Sequence, residues 1–424
     1  MNQAPANILL ITTHDSGRHF GCYGHPTVHT PAVDALAAEG CRLTNFFAGS
    51  PICSPSRACL FTGTYPQTHG VMTIANRAKG IALRSPQHHL AHLLKQAGYR
   101  TALFNHQHET AGEELLGFDD LHLHRPRAPA DVVGREVASY LRQVGTPFFV
   151  EVGLNETHTP YDNSNTAADD SLGVEIPPYI IDNAAARAWM AGYQGMARRA
   201  DEGIRSMLEG LARAGLAEST LVIFTVDHGI ELPRAKWFLY DPGLAVAFVC
   251  RWPNGGIRPG STCDLLTSNV DVMPTVMELL GQPRPVHAQG VSFAAALRGE
   301  STAPVRSEVF GFQTGYEMRC VRTDRYKLIH NFERHPPCTC PGDVAKPRQE
   351  QPCSPLVELY DLRDDPCETR NRAEDPDLSA VRRDLTGRLR RWMREQNDPI
   401  LQTSLCPDAF YHEAVALLTR DVVG

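Results

Sequence analysis

Continuous apolar runs that alternate with helical patterns restrict the fold of this chain more than any other feature. Such runs lack apolar–polar alternation and are typical of strands that are buried on both faces of a sheet. Their alternation with helices is typical of parallel βαβ units. The predicted strands are Asn7–Thr12, Arg100–Phe104, Pro147–Leu154, Thr220–Val226 and Ala245–Arg251. We therefore predict an α/β fold whose large sheet is mixed, mostly parallel and sandwiched by helices.

The last quarter of the chain has a different pattern. Helices that end near Gly40, Gly215 and Gly281 are predicted before it. After about residue 305, short strands are followed by a charged helix that begins at Ser379 and ends at Gln396. We predict an N-terminal domain over residues 1–304, and a smaller α+β domain with an antiparallel sheet and a terminal helix over residues 305–424.

Charge and hydropathy exclude several classes of partner. The chain has 424 residues, a formal net charge of -7 and no block of five or more like charges, so we expect no nucleic-acid partner. No apolar run is long enough to span a bilayer, and the N-terminus has no signal peptide, so we expect no membrane association and a cytoplasmic location. Thiols are therefore favoured over disulfides for the twelve cysteines. Cys338, Cys340 and Cys353 match no zinc pattern well and indicate an insertion loop.

The segment most informative about chemistry runs from Cys53 to Gly63 and reads Cys-Ser-Pro-Ser-Arg-Ala-Cys-Leu-Phe-Thr-Gly. Pro55 and Arg57 follow the cysteine at the start of an apparent helix. This position would place the side chain of Cys53 at the positive end of a helix, where anions bind and thiolates are stabilised.

Acidic and imidazole side chains follow two of the predicted strands. His14 and Asp15 come after the first strand, and Asp227 and His228 come after the strand Thr220–Val226. Open α/β sheets place their sites at the carboxyl ends of parallel strands, and a divalent cation would find oxygen ligands there. An aspartate at a strand end is more often a cap or turn residue, but two such positions around the Cys53 segment favour a metal site.

The Cys53–Gly63 segment resembles the sulfatase signature, in which cysteine, any residue, proline, serine and arginine are followed by leucine and glycine. The resemblance implies an alkaline phosphatase-like fold and conversion of Cys53 to formylglycine by a formylglycine-generating enzyme. It also implies that the hydrated aldehyde attacks sulfur, while Arg57 steadies the formylglycine and the metal ligands. A sulfate ester needs a cation, positive side chains and a proton donor, because charge builds on the sulfuryl oxygens and on the leaving oxygen.

In the resembling family, an Asp-Asp pair after the first strand and an Asp with Asn or His later bind one divalent metal ion. The ligands implied here are His14, Asp15, Cys53 as formylglycine, Asp227 and His228. The family pattern implies Ca²⁺, and the mixed imidazole and carboxylate set is also compatible with Mn²⁺ or Mg²⁺. His14 departs from the Asp-Asp pattern, which leaves the metal open.

Further catalytic residues are implied by the same resemblance. Asn105-His106-Gln107-His108 is similar to the family's Gly-Lys-Trp-His, so His108 takes the histidine position and His106 replaces the lysine. His158 corresponds to the histidine that contacts the sulfate or the leaving oxygen, and histidine can donate a proton near neutrality. Lys236 corresponds to the basic residue whose positive charge neutralises the sulfuryl oxygens, and Arg234 is a nearby alternative for this position.

The predicted activity is hydrolysis of a sulfate monoester or sulfamate on a small molecule or oligosaccharide. Thr13–Arg18 and Asp241-Pro242-Gly243 are most similar to the N-sulfoglucosamine sulfohydrolase branch of the family. Hydrolysis of a phosphonate monoester or phosphodiester by the same site is an alternative, since the two monoanions are electrostatically similar. A second alternative is a non-catalytic binder of sulfated glycans, because His14 and His106 depart from the family pattern. A phosphatase or phosphomutase using Ser54 or Ser56 is disfavoured, because both serines are out of register with the nucleophile.

Overall fold

The computed structural model describes residues 6–162, 165–334, 354–402 and 409–420. The strands are β1 Asn7–Thr13, β2 Cys41–Leu43, β3 Phe46–Phe47, β4 Arg100–Asn105, β5 Asp120–Leu123, β6 Phe148–Gly153, β7 Thr220–Val226, β8 Phe248–Arg251, β9 Ser261–Cys263, β10 Thr267–Ser268, β11 Val309–Gln313, β12 Met318–Arg322, β13 Tyr326–Asn331 and β14 Val357–Asp361. The helices are α1 Pro31–Glu39, α2 Cys53–Thr62, α3 Pro66–His69, α4 Leu90–Gln96, α5 Ala130–Tyr140, α6 Ala184–Arg213, α7 Asp241–Leu244, α8 Val272–Leu279, α9 Ala294–Leu297, α10 Ser379–Glu395 and α11 Ala409–Arg420.

The large sheet has eight strands in the order β5-β4-β6-β1-β7-β8-β2-β9. The first five of these strands pair in parallel, while β8 runs antiparallel to both of its neighbours. Every residue of β1, β6 and β7 is buried, as expected of continuous apolar strands that are covered on both faces. The predicted α/β fold with a mixed, mostly parallel sheet is therefore confirmed.

Two helices that cover the sheet, α5 and α6, approach each other closely at a pair of glycines. A methyl group on Gly134 would lie 2.4 Å from the carbonyl oxygen of Gly203, so the contact requires glycine on α5. Beyond this contact, Ile204, Met207 and Leu211 of α6 are buried in the main core. No helix in the described ranges has the length and apolar character needed to cross a bilayer.

A second, antiparallel sheet follows, with the strand order β11-β12-β13-β14. Leu385, Leu389 and Trp392 of α10 are buried in the same hydrophobic cluster as residues of this sheet. This arrangement confirms the smaller C-terminal element of the predicted fold class. The eight cysteines within the described ranges are free thiols, whereas the cluster of Cys338, Cys340 and Cys353 lies outside those ranges.

The pairing of β1 with β7 determines where the site forms. The two strands are parallel and in register up to the pair Thr13 and Val226. The next residues, His14 and Asp15 after β1 and Asp227 and His228 after β7, therefore leave the same edge of the sheet side by side. This edge is the carboxyl end of the parallel strands, where the sequence predicts the functional site.

Candidate active site

The residues that follow β1 and β7 form the centre of the site. The Asp15 amide donates to Asp227 Oδ1 at 3.0 Å, and His14 Nδ1 lies 2.8 Å from Asp227 Oδ2. Asp15 has a φ of 42°, a left-handed conformation that is uncommon outside glycine and that recurs at functional sites. All of these side chains are fully buried, so the sheet edge gathers two carboxylates and two imidazoles away from bulk water.

Cys53 is the first residue of α2, and its Sγ lies 3.2 Å from His228 Nε2. The helix is fixed beside the strands because Ser56 Oγ donates to the Asp227 carbonyl and Asn269 Nδ2 donates to the Ser56 carbonyl at 2.9 Å. Burial, followed by the charges of Asp227 and Asp15, raises the pKa of the Cys53 thiol well above its usual range. The expectation that the helix N-terminus stabilises a thiolate here is thus wrong, since burial and the carboxylates outweigh the helix.

Arg57 lies one turn further along α2 and is completely buried. Its Nε donates to Asp227 Oδ2 at 3.2 Å, its Nη1 to Thr12 Oγ1 at 2.6 Å and its Nη2 to the Thr13 carbonyl at 3.1 Å. With His228 and His14, Arg57 keeps the pKa of Asp227 well below its usual range despite burial. Arg57 therefore positions Asp227, in agreement with the role that the resemblance implies.

Four side chains at this centre have the geometry of a metal site. One ligand atom each from His14, Asp15, Cys53 and Asp227 lies within 4.8 Å of all the others. Asp15 Oδ1 is buried and accepts no hydrogen bond from the described residues, which is the state of an oxygen that faces a cation. The donor set of carboxylates, one imidazole and Cys53 Sγ suits a divalent cation.

His228 is oriented toward this cluster by its own backbone. His228 Nδ1 lies 2.9 Å from the Gly229 carbonyl, so it carries the proton and leaves the lone pair on Nε2. That lone pair points at Cys53 Sγ and at Asp15 Oδ1, both 3.2 Å away. The backbone contact thus fixes the tautomer that a metal ligand requires.

A second buried group, His89, Glu109 and Glu151, also brings three ligand atoms together. Here the Ala91 amide donates to His89 Nδ1 at 3.2 Å, which places the imidazole proton on Nε2. Nε2 therefore faces Glu151 Oε2, 4.0 Å away, as a donor and not as a ligand. This tautomer disfavours His89 as a metal ligand.

Lys236 lies over the same centre from the segment that follows β7. Its Nζ donates to Asp15 Oδ2 at 2.7 Å and to Glu231 Oε2 at 3.0 Å. Arg234, the rival for this position, instead donates to the Glu368 carbonyl and stacks 3.8 Å above the Tyr240 ring. The structure thus brings Lys236, but not Arg234, to the centre.

The three remaining histidines surround His14. The Nε2 atoms of His14 and His106 are 2.8 Å apart, with the ring centroids 5.1 Å apart and an interplanar angle of 3°, so the two rings meet end to end. The rings of His158 and His108 lie 5.3 Å and 6.1 Å from the His14 ring. Burial lowers the pKa of His108 to about 3, with the positive charge of Arg127 adding to the effect. His108 is therefore a neutral hydrogen-bonding group near neutrality.

Two residues of the site were not predicted from the sequence. Glu231 accepts from both Lys236 and Thr159, whose Oγ1 donates to it at 2.7 Å. Arg127 reaches the site from the loop after β5, and its Nη1 donates to Asn155 Oδ1 at 3.1 Å. The sequence holds no signal for Arg127, because its loop is irregular and only the strand order places it here.

The site has a cysteine at a helix N-terminus, surrounded by carboxylates, imidazoles and cations. It lies at the carboxyl end of a mostly parallel sheet. These features together define an alkaline phosphatase-like hydrolase. The solved phosphonate monoester hydrolase of Agrobacterium radiobacter has the same fold, with a TM-score of 0.71 and 22% identity over 92% of this chain and 96% of that one. The fold comparison agrees with the predicted class.

Sequence profiles narrow this class further. The profile described as Sulfatase matches residues 6–282, and the profile for the C-terminal part of N-sulphoglucosamine sulphohydrolase matches residues 234–338. The chain therefore belongs to the sulfatase family of enzymes, as the Cys53 signature predicts.

Two curated relatives match almost the entire chain. An ulvan-active sulfatase of Formosa agariphila is 31% identical over 94% of this chain and 82% of its own length. The N-sulphoglucosamine sulphohydrolase of Homo sapiens is 29% identical over 93% of this chain and 91% of its own length. The second relative confirms the resemblance to that branch of the family.

Proposed function

We propose that this sulfatase hydrolyses a sulfate ester or sulfamate on a carbohydrate, with formylglycine made from Cys53 as its nucleophile. The observation that carries the proposal is the position of Cys53 Sγ, 3.2 Å from His228 Nε2 and within 4.8 Å of ligand atoms of His14, Asp15 and Asp227. The carbohydrate class is supported by the relatives, which are named for ulvan and for N-sulphoglucosamine.

The environment of Cys53 favours a modified residue over a reactive thiol. Its pKa is raised well above the usual range by burial and by Asp227 and Asp15, so the unmodified side chain is a poor nucleophile at neutral pH. One hydroxyl of the hydrated aldehyde would attack sulfur while the bond from sulfur to the sugar oxygen or nitrogen breaks and the leaving atom takes a proton. Loss of the proton from the second hydroxyl would then expel sulfate and restore the aldehyde, which water hydrates again.

A divalent cation would be held by Asp15, Asp227, His14 and His228, together with the side chain at position 53. Two features fit this ligand set: Asp15 Oδ1 accepts no hydrogen bond from the described residues, and the lone pair of His228 lies on Nε2. The cation would supply Lewis acidity toward the sulfuryl oxygens and the nucleophile. Arg57 keeps Asp227 ionised and oriented for this role.

The other side chains have roles that follow from their positions. Lys236 Nζ, held by Asp15 and Glu231, directs a positive charge at the centre where negative charge develops on the sulfuryl group. His108 is neutral and donates or accepts a hydrogen bond. His158 Nδ1 lies 2.6 Å from the Thr159 carbonyl and donates to it, so the imidazolium form of His158 carries a second proton, on Nε2, that it can transfer to the leaving oxygen.

The test is a hydrolysis assay of protein coexpressed with an aerobic formylglycine-generating enzyme. Sulfated mono- and disaccharides, a glucosamine N-sulfate and p-nitrophenyl sulfate are the substrates, and the Cys53→Ala variant is the matched control. We expect sulfate release by the wild type and none by the variant. Equal release by both proteins would contradict the assignment of the nucleophile.

Phosphonate and phosphate diester hydrolysis is the alternative that the site itself favours, because His228 takes part in the cluster and the two monoanions are similar in charge. p-Nitrophenyl phenylphosphonate in the same assay tests it. A larger kcat/KM for the phosphonate than for every sulfate would replace the proposed substrate class. A non-catalytic glycan binder would instead retain glycan affinity in Cys53→Ala and release no sulfate in any form.

A further inference from the structure

The two side-chain cations at the centre of the site are each paired with carboxylates. Arg57 is paired with Asp227, with Nε and Oδ2 3.2 Å apart. Lys236 is shared between Asp15 and Glu231, at 2.7 Å and 3.0 Å. A substrate that brings a sulfate anion into this buried centre therefore meets side-chain cations whose charge carboxylates have largely balanced.

The lysine that the family pattern places after β4 is replaced here by His106. His106 Nε2 is engaged with His14 Nε2 at 2.8 Å. The ammonium group of the family pattern is therefore absent at this position, and an imidazole takes its place.

Arg127 is a cation at this part of the site that has no carboxylate partner among the described residues. Its Nη1 donates to the neutral side chain of Asn155, three residues before His158. Arg127 and His106 line one cavity of about 280 Å³, together with Gln107 and Arg125. Arg127 therefore lies between the loop that carries His106 and the loop that carries His158.

The electrostatic effects agree with this position. Burial and then the charge of Arg57 lower the pKa of Arg127, while Cys53, Asp227 and Asp15 act in the opposite direction. The guanidinium thus lies within electrostatic range of the nucleophile position as well as of the cavity. A half-buried arginine with a neutral partner holds its charge ready for an anion, and its planar fork suits the oxygens of a sulfuryl group.

We propose that Arg127 binds the sulfuryl oxygens of the scissile group, as a cation whose side-chain partner is the neutral Asn155. The proposal rests on the proposed sulfatase activity and deepens it by assigning a substrate-binding residue from a different loop. The family's lysine follows β4, whereas Arg127 follows β5, the next strand of the sheet. The same anion is therefore bound from a neighbouring strand end.

The test compares Arg127→Gln with Arg127→Lys and with the matched control Arg125→Gln. Arg125 belongs to the same loop and lines the same cavity, but it is exposed and its Nη2 is paired with Glu113 Oε1 at 2.7 Å. The substrate is p-nitrophenyl sulfate, which carries one anionic group, and the second probe is inorganic sulfate titrated by calorimetry. The thermal unfolding midpoint of each variant reports whether the fold is retained.

We expect Arg127→Gln to raise KM and to weaken sulfate binding by about 10- to 100-fold, the range for hydrogen bonds to a charged group. Arg127→Lys retains most of the affinity because it keeps the charge, and Arg125→Gln matches the wild type. Unchanged KM and sulfate affinity in a folded Arg127→Gln would overturn the proposal. A defect that appears only with disulfated sugars would also overturn it, since Arg127 would then bind a second anionic group.

The two proposals fail in different ways. A wild-type protein that hydrolyses no sulfate ester contradicts the proposed function, yet the calorimetric comparison of wild type and Arg127→Gln still tests the anion site. A wild type that is active and matched by Arg127→Gln leaves the proposed function intact and removes Arg127 from the site.

Discussion

His14 and His106 meet end to end with their Nε2 atoms 2.8 Å apart, and both occupy positions where the sulfatase pattern has a charged residue. The family's aspartate and lysine are thus replaced by two imidazoles in direct contact. Burial is the largest cause that lowers the pKa of each, so both are neutral near pH 7. The pair therefore preserves the net charge of the replaced residues, while it changes the chemistry of one proposed metal ligand.

This replacement predicts the metal preference of the site. His14→Asp turns a mixed nitrogen and oxygen donor set into an oxygen set, which Ca²⁺ favours over Mn²⁺. We expect the ratio of Ca²⁺ to Mn²⁺ affinity to rise by about tenfold or more, equivalent to about 1.4 kcal/mol. Calorimetric titration of both ions measures the ratio, with His14→Asn as the uncharged control. An unchanged ratio would mean that His14 is not a ligand.

Removal of the metal ion is the direct test of the cluster. We expect a chelator to abolish sulfate release and an added divalent ion to restore it, because Asp15 and Asp227 provide buried carboxylates for a cation. Asp15→Asn should lower the metal content of the purified protein by one ion per chain, as measured by inductively coupled plasma mass spectrometry. Full activity in the chelated protein would exclude a catalytic cation.

Lys236 and Arg234 offer a matched pair for the role of positive charge. Lys236→Gln removes the Nζ that lies 2.7 Å from Asp15, and we expect kcat to fall by about 10²- to 10³-fold, as for loss of one preorganised donor. Arg234→Gln should leave kcat within about threefold, because its contacts are with Glu368 and Tyr240. Similar losses in both variants would assign the effect to folding.

Arg57 is predicted to be essential for stability as well as for the site. Arg57→Met leaves the Asp227 carboxylate buried beside His14 without its guanidinium, and loss of one partner of a buried pair costs about 3–5 kcal/mol. The exposed pair of Arg100 with Asp120 is the control, where Arg100→Met should cost much less because solvent screens the pair. Urea unfolding of both variants measures the difference. Equal costs would contradict the positioning role.

The buried His69 predicts a dependence of stability on pH. Burial lowers the pKa of His69 to about 3, whereas an unfolded histidine titrates near 6.5. Below about pH 6.5 the unfolded chain therefore binds one more proton, and the folded state loses about 1.4 kcal/mol per pH unit from this residue. His69→Gln should reduce the slope of unfolding free energy against pH by that amount. Parallel slopes for the two proteins would show that His69 is protonated when folded.

The elements that the sequence predicts well are the long apolar strands. β1 and β7 were expected because strands covered on both faces need uninterrupted apolar side chains. β8 begins later than expected, at Phe248, because the amides of Val246 and Ala247 donate to the carbonyls of Phe46 and Gly17 instead of to β7. Its antiparallel direction could not be predicted, because a strand buried on both faces has the same continuous apolar sequence in either direction.

The residues of the site also fall into a group that the sequence could place and a group that it could not. His14, Asp15, Asp227 and His228 could be placed together because each pair directly follows a predicted strand. Arg127 and Glu231 could not, since their positions depend on strand order and on loop conformation. A charged residue in an irregular loop is solvated in most proteins, so only the fold identifies Arg127 as a neighbour of the nucleophile position.

The proposed function depends most directly on the conversion of Cys53 to formylglycine, which would make it the nucleophile. The most direct measurement is mass spectrometry of the peptide that contains Cys53, from protein coexpressed with an active formylglycine-generating enzyme. We predict a peptide lighter by roughly 18 Da than the cysteine form, in proportion to the sulfate-releasing activity of the sample. Active protein in which position 53 remains an unmodified thiol would contradict it.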